Sequence, residues 1–372
     1  MTRRVLNVIE SLGLGGAERL LLTTHRHIDR RLVEPEVACL FGPNTLAEEL
    51  RSAGVRVHEL GLRSPRDVPD GVLRLRRLMG DARFDVVHTH LYYANLAGRL
   101  AAWGRARVVS TLHNPDYTYE SRPGAVFAAK KLADRFTGRW MTRRLVAVSD
   151  EVRRDFEKQL GFSGIEVIPN YIDLDRFTRR LDQVDRATAR ARCGVGPDDV
   201  MVLHVGRLHP QKGQDLLIDA IARARRDVPR LVLFLVGEGG SRAALEGRAR
   251  DRGIGAEVRF ERAQREVSVY YRAADMFAFP SRYEAFGIAL LEAMAAGLPI
   301  VASRTGGIPD VTGDMAALLI PVGDVDALSD GIRGLAGDAV WRGAMGGAGR
   351  ERAKAFDVKV HLPRLEAIYA SL

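Results

Sequence analysis

The sequence predicts an α/β protein built from two doubly wound domains with parallel sheets, facing a central cleft. Three observations carry that expectation. Short runs rich in Val, Ile and Leu alternate with helix-prone stretches along most of the 372 residues. The alternation stops over a polar stretch at residues 173–199 and then starts again. The polar motifs fall just after strand-like runs, where sheets of this kind bind their ligands. A chain of this length suits two domains, each large enough for its own core.

In the first half, strands are expected at Val5–Ile9, Glu36–Phe41, Val55–Leu60, Asp85–Thr89, Arg107–Leu112, Leu145–Ser149 and Glu166–Ile168. Several are unbroken apolar runs, as strands covered on both faces require. Helices fall between them at Ala17–Ile28, Tyr92–Trp103 and Val126–Arg143. The second half resumes with Val200–Val205, Leu231–Val236, Glu257–Phe260, Met276–Phe279, Ile300–Ala302 and Ala317–Ile320. Gln214–Ala224 reads as a helix, as does Ile288–Ala296, which is rich in Ala and Leu and stopped by Gly297. Residues 173–199 read as a linker with a docking segment, giving domains at 1–175 and 176–357, followed by a final helical stretch at 358–372.

Composition narrows the class. Hydrophobic residues make up 46% and charged residues 28%, a soluble globular profile. No apolar run approaches the roughly 18 residues that span a bilayer, and the short run before Glu10 reads as a first strand rather than a signal peptide. Cys39 and Cys193 stand one to a domain without metal-ligand spacing, which points to a reducing, cytoplasmic setting. Residues 1–150 hold 24 Lys and Arg against 16 Asp and Glu, whereas residues 151–372 hold 32 against 31. A basic first half suits an anionic partner such as lipid headgroups or an anionic acceptor. No recognition motif supports nucleic acid.

The chemistry concentrates in two segments. Ser281 to Glu292 places Glu284 at the end of a strand beside the N–H groups that open a helix, with Glu292 on that helix. Glu284 would repel an anion at the helix start, so it is better suited to neutral hydroxyls next to one. In Val202 to Gly213, a strand runs into Arg207 and a turn carrying Lys212. Arginine binds phosphate oxygens in bidentate fashion and lysine adds a point charge. Lysine is scarce, six against fifty arginines, so its presence in this turn is more than composition. Hydroxyls beside phosphates describe a nucleotide sugar.

With Gly13-Leu14-Gly15-Gly16, His88-Thr89-His90, Thr111-Leu112-His113-Asn114, Val236-Gly237-Glu238-Gly239 and Gly306-Gly307-Ile308-Pro309-Asp310, these segments resemble the retaining glycosyltransferases of family 4 over nearly the whole chain. The resemblance implies the GT-B fold of two Rossmann-like domains. It implies transfer of a sugar from a nucleoside-diphosphate donor to a hydroxyl acceptor, lipid-linked or anionic acceptors included, with the acceptor on the first domain and the final helix crossing back onto it. Arg207 and Lys212 would bind the diphosphate, Glu292 the ribose hydroxyls, and Glu284 with Phe286, Gly287 and Ile288 the sugar. Gly15 and Gly16 would let backbone approach donor or acceptor. His113 would lie near the reacting centre, with His90 the weaker choice. No cofactor is implied, and no metal: Asp173-Leu174-Asp175 lies in the linker and Asp324-Val325-Asp326 opens a late helix, away from the nucleotide motifs.

Other readings stay open at this point. The loop at Gly13 misses a dinucleotide fingerprint because Glu18 holds its third glycine's place, and the loop at Gly237 misses it at Arg242, so an NAD-dependent dehydrogenase is a distant alternative. A sugar-nucleotide epimerase of similar fold is another. Arg304 either contacts an acidic sugar or faces solvent. Lys131, Arg135, Arg139 and Arg143 form an i, i+4 basic stripe beside Leu132, Phe136 and Trp140. We read the apolar stripe as facing the core and the basic one as solvated, with peripheral contact to the inner face of the cell membrane as the alternative.

Overall fold

Among the residues that the computed structural model describes (2–115, 117, 118 and 124–372), thirteen strands form two wholly parallel sheets. The first contains β1 (Arg3–Ile9), β2 (Val33–Cys39), β3 (Arg56–Glu59), β4 (Val86–His90), β5 (Arg107–Leu112), β6 (Arg144–Ala147) and β7 (Glu166–Val167), in the order β3-β2-β1-β4-β5-β6-β7. The second contains β8 (Val200–Val205), β9 (Leu231–Val236), β10 (Val258–Glu261), β11 (Met276–Phe279), β12 (Ile300–Ser303) and β13 (Leu318–Ile320), in the order β10-β9-β8-β11-β12-β13. Each winding reverses once, between β1 and β4 and between β8 and β11, and the crevice at such a reversal is where α/β sheets hold ligands.

The apolar runs become two-sided cores. In the second sheet Leu203, Phe277, Phe279 and Ile300 pack on one face, and Val202, Met276, Ala278 and Val301 on the other. In the first, Leu6, Val8 and Val87 face one way and Ile9, Val37 and Cys39 the other.

Two compact units result: residues 1–170 with 358–372, and residues 171–357. The second unit begins at Tyr171 rather than after residue 175 because the helix Leu174–Asp182 packs on the helices Ser268–Ala273 and Ile288–Ala296 of that unit. The stretch 173–199 is also not an open linker. It holds two capped helices, Leu174–Asp182 and Arg186–Cys193, whose first turns donate N–H groups to Asp173 and Asp185. Their polar composition hid them because one buried contact is ionic: Arg190, 8% exposed, reaches Asp275 at 2.9 Å and three backbone carbonyls. Asp324 likewise caps the helix Val325–Gly337, so each Asp-x-Asp pair starts a helix.

The helix Ala125–Met141 overturns the core-facing reading of its aromatic stripe. Leu132, Phe136 and Trp140 are 68%, 55% and 70% exposed. The buried face is Asp134, Thr137 and Gly138 instead. Asp134 pairs with Arg99, which is fully buried, and accepts a 2.6 Å hydrogen bond from the Tyr117 hydroxyl. Gly138 leaves room for the Phe162 ring, which a Cβ would strike. A small, ionic inner face turns the apolar residues outward.

The final helix, Val358–Ala370, belongs to the first unit. Its Glu366 accepts the Asp29 N–H at 2.8 Å, and its Tyr369 hydroxyl meets His88 Nδ1 at 2.5 Å. Among the described residues no helix is long and apolar enough to cross a membrane.

Candidate active site

In the second unit the loops after β8, β9, β11 and β12 lock together. The Gly206 N–H donates to Val236 O and the Leu208 N–H to Glu238 O, which presses residues 206–208 against 237–239. A Cβ on Gly237 would run into Gly206 O, so that glycine serves close backbone packing. Arg282 ties β11's loop to β8's through a two-point ion pair with Asp215 at 2.7 and 2.8 Å and a 2.6 Å bond to Pro210 O. Gly306, at φ 52°, lets the Gly306-Gly307 turn close on Glu284, whose carbonyl accepts the Gly307 N–H at 3.1 Å.

This frame holds Lys212 against Glu284. The ammonium is ion-paired with the Glu284 carboxylate and lies 5.3 Å from the centre of the Phe279 ring. Glu284 is only 7% exposed, so each charge depends on the other. Behind Lys212, burial holds His204 down at about 4, so the ring is neutral. Its Nδ1–H donates to Ala278 O, and its Nε2 accepts from the Gln214 amide, which also grips the Arg207 carbonyl at 2.8 Å. The Arg207 side chain projects into solvent, with Gln211 Oε1 3.5 Å away. Arg304 is exposed as well.

The helix Ile288–Ala296 opens at Gly287, φ 88°, without a side-chain cap. Glu292 projects from it, and its Oε2 accepts a 2.9 Å hydrogen bond from the Tyr271 hydroxyl. One end of the second sheet thus gathers two cations, two carboxylates and an uncapped helix start. That set suits an anion flanked by hydroxyls.

The first unit has its own polar centre, at the ends of β1, β4 and β5. Gly15 and Gly16 are exposed where the helix Gly16–His27 begins, and the Glu18 side chain folds over Gly15 where a Cβ would collide with it. Glu10 follows β1 and accepts the Tyr93 N–H at 2.7 Å; burial raises its pKa. Leu91, after β4, has φ 72°. His113, after β5, is 8% exposed and its Nε2 lies 3.1 Å from His90 Nδ1. Both rings are buried, so His90 belongs with His113 in one cluster.

Arg207, Lys212, Glu284, Phe286, Gly287, Ile288 and Glu292 therefore gather at the carboxyl ends of β8 and β11, whereas Gly15, Gly16 and His113 lie at the matching end of the first sheet. The Phe286 ring is core, packed edge-on against Phe356 at 5.6 Å, so only its backbone faces the site. Sequence reasoning missed the supporting residues Tyr271, His204, Gln214, Asn7 and His25. The available signal was a lone polar letter inside an apolar strand, as in Val-Leu-Asn-Val-Ile and Val-Leu-His-Val.

Two doubly wound units with polar residues at each winding reversal are the architecture of the GT-B fold, which many glycosyltransferases share. Anabaena HepE in complex with UDP-glucose has this fold, with a TM-score of 0.87 at 22% identity over 100% of both chains. So has WaaG, a glycosyltransferase involved in lipopolysaccharide biosynthesis, at 0.81 and 19% over 98% of this chain and 99% of its own. The glycosyl transferases group 1 family matches residues 185–352, and glycosyltransferase family 4 matches residues 14–176. A GDP-mannose-dependent alpha-(1-6)-phosphatidylinositol monomannoside mannosyltransferase of Mycolicibacterium smegmatis is 33% identical over 83% of this chain and 82% of its own. A D-inositol 3-phosphate glycosyltransferase of Kribbella flavida is 30% identical over 77% and 70%. The chain belongs to glycosyltransferase family 4 and is a sugar-transferring enzyme.

Proposed function

We propose that the enzyme transfers mannose from GDP-mannose, with retention at the anomeric carbon, to a hydroxyl of a lipid-linked acceptor at a membrane surface. The observation that carries the donor-site reading is the Lys212–Glu284 pair beside the uncapped helix start at the β8/β11 reversal. The donor and acceptor follow the activity for which the mannosyltransferase relatives are named. Arg207 and Lys212 hold the diphosphate, each charge-assisted contact contributing about 1.5–3 kcal/mol. Glu292 takes the ribose hydroxyls, and Glu284 with the N–H groups of Phe286, Gly287 and Ile288 takes the sugar. Gly15 and Gly16 admit a ligand close to backbone, and His113 accompanies the reacting centre. As the C1–O bond to the diphosphate breaks, its electron pair passes to the leaving oxygen, where the two cations stabilise it. The acceptor oxygen bonds to C1 on the same face, and its proton passes to the leaving phosphate. No step calls for a metal or a cofactor.

A thermal-shift panel of GDP, UDP, ADP and dTDP, each with and without EDTA, tests this reading. GDP at a hundred times its Kd adds about 2.7 kcal/mol, raising Tm by about 5–11 °C. The shift is expected to survive EDTA and to disappear in Glu292→Ala. A response to another diphosphate alone would overturn the guanine assignment, and an unchanged response in Glu292→Ala would remove its ribose role.

The membrane part of the proposal rests on the helix Ala125–Met141. Val126, Leu132, Phe136 and Trp140 are at least half exposed, Arg135 and Arg139 stand exposed among them, and Arg143 is exposed just past the helix end. An apolar, aromatic face flanked by arginines suits an anionic bilayer surface. Each arginine near such a surface contributes about 1 kcal/mol, so replacing all three with Gln is expected to weaken binding to phosphatidylglycerol liposomes by about a hundredfold. Failure of the unmodified enzyme to bind those liposomes would end the membrane reading.

A further inference from the structure

Four histidines, His25, His88, His90 and His113, are buried together in the first unit, and three of them form one hydrogen-bonded line with Asn7. The direction of that line is set by atoms that can only accept. His25 Nδ1 lies 2.7 Å from Leu21 O, a carbonyl, so Nδ1 carries the proton. A neutral ring has only one N–H proton, so His25 Nε2 must accept, and its partner at 3.1 Å is Asn7 Nδ2. A second carbonyl checks the orientation of that amide: Glu36 O lies 3.5 Å from the same Asn7 nitrogen. Turning the amide round would set oxygen against both Glu36 O and the His25 lone pair.

Asn7 Oδ1 therefore faces His90 Nε2 at 3.4 Å, and His90 Nε2 must be the protonated nitrogen. His90 Nδ1 then accepts, and the 3.1 Å contact to His113 requires His113 Nε2 to donate. We propose that Leu21 O, acting through His25, Asn7 and His90, fixes His113 as the Nε2–H tautomer and presents its Nδ1 lone pair to a ligand hydroxyl. No described side chain bonds that nitrogen. Asn7, His25 and His90 are then positioning residues, and the hydroxyl donates to His113 rather than accepting from it.

Burial keeps the rings neutral. It holds His25 and His113 down at about 4 and His90 well below the ordinary imidazole range. His88 stands outside the line because its nitrogens meet two hydroxyls, Tyr369 at 2.5 Å and Thr111 at 2.7 Å, either of which donates or accepts. It lies tilted at 39° beside His90, with ring centres 4.2 Å apart.

The proposal rests on the reading that His113 serves the reacting centre, and two separable experiments test the pair. Long-range proton–nitrogen correlation spectra of the full-length enzyme, labelled with ¹⁵N-histidine at pH 7.5, report each tautomer without reference to activity. The expected pattern is Nδ1–H for His25 and Nε2–H for His90 and His113, with assignments from single His→Gln variants. An Nδ1–H signal at His113 overturns the proposal. Kinetics give the second readout. His90→Gln keeps both roles, since its carbonyl accepts from His113 while its amide donates to Asn7, and is expected to keep kcat within about threefold. His90→Phe fills similar volume without either role and is expected to lose about tenfold in kcat, with donor KM unchanged. Equal kcat in the two variants overturns the proposal by showing that His90 only fills space. Full activity in His113→Ala would strike the reacting-centre reading instead, whatever the tautomer.

Discussion

Replacing Lys212 with alanine is expected to lower kcat by about 10²–10³-fold, the scale of removing one group that stabilises charge in a transition state. Lys212 is the cation that the β8/β11 loops hold in place: Phe279 lies beneath its ammonium, and Glu284 pairs with it from the facing loop. Arg207, projecting into solvent, has no such restraint on its side chain and is expected to matter less. The substitution also leaves the Glu284 carboxylate buried without its counter-charge. Breaking a buried pair in this way costs about 3–5 kcal/mol, and thermal melts should show it. The double variant Lys212→Ala with Glu284→Ala isolates the stability effect, because it removes the stranded charge and recovers melting temperature; its turnover stays lost, since Glu284 also serves the sugar. Near-normal turnover in Lys212→Ala, or activity returning in the double variant, would refute the role.

The second large effect is acid sensitivity concentrated in the first unit. Burial lowers His25 and His113 to about 4, His88 to about 3, and His90 well below its ordinary value. These rings are neutral when folded and basic near 6.5 when unfolded, so below pH 6.5 the unfolded chain binds more protons and stability falls with pH. Their contribution is complete above 6.5 and is lost as pH drops toward 4. Each histidine removes about 1.4 kcal/mol per pH unit in that window. Four together remove on the order of 5 kcal/mol per unit, comparable to the whole stability of a domain. Glu10 and Asp155, whose pKa values burial raises, act in the opposite sense and offset part of this. The second unit has His204, held at about 4, and the partly buried His209, also lowered. Hydrogen exchange read segment by segment between pH 7.5 and 5 should therefore show β1, β4 and β5 losing protection well before β8 and β11. Equal loss in both sheets, or none, would refute the assignment.

Much of this was legible beforehand because it depends on local pattern. Val200–Val205 and Met276–Phe279 read as buried strands from unbroken apolar runs, and the strand ends located Arg207, Lys212 and Glu284. What was not legible depends on what faces what. Lys212 and Glu284 are 72 residues apart, and nothing local says that they pair. The helix Ala125–Met141 misled because its inner face is Asp134 and Gly138, acceptable only with Arg99 and Phe162 opposite. Asn7 announced itself as a polar letter in an apolar strand, but not that it joins two histidines.

Residues 358–372 close the first unit, yet they leave the ribosome only after the whole of residues 171–357 has been made. The second unit is one continuous segment, Tyr171–Asp357, and takes no residue from outside that stretch. The first waits for Tyr369, whose hydroxyl reaches His88 inside its sheet. Translation order and completion order are thus reversed: the half of the enzyme whose synthesis starts first is the one that the later residues 358–372 complete.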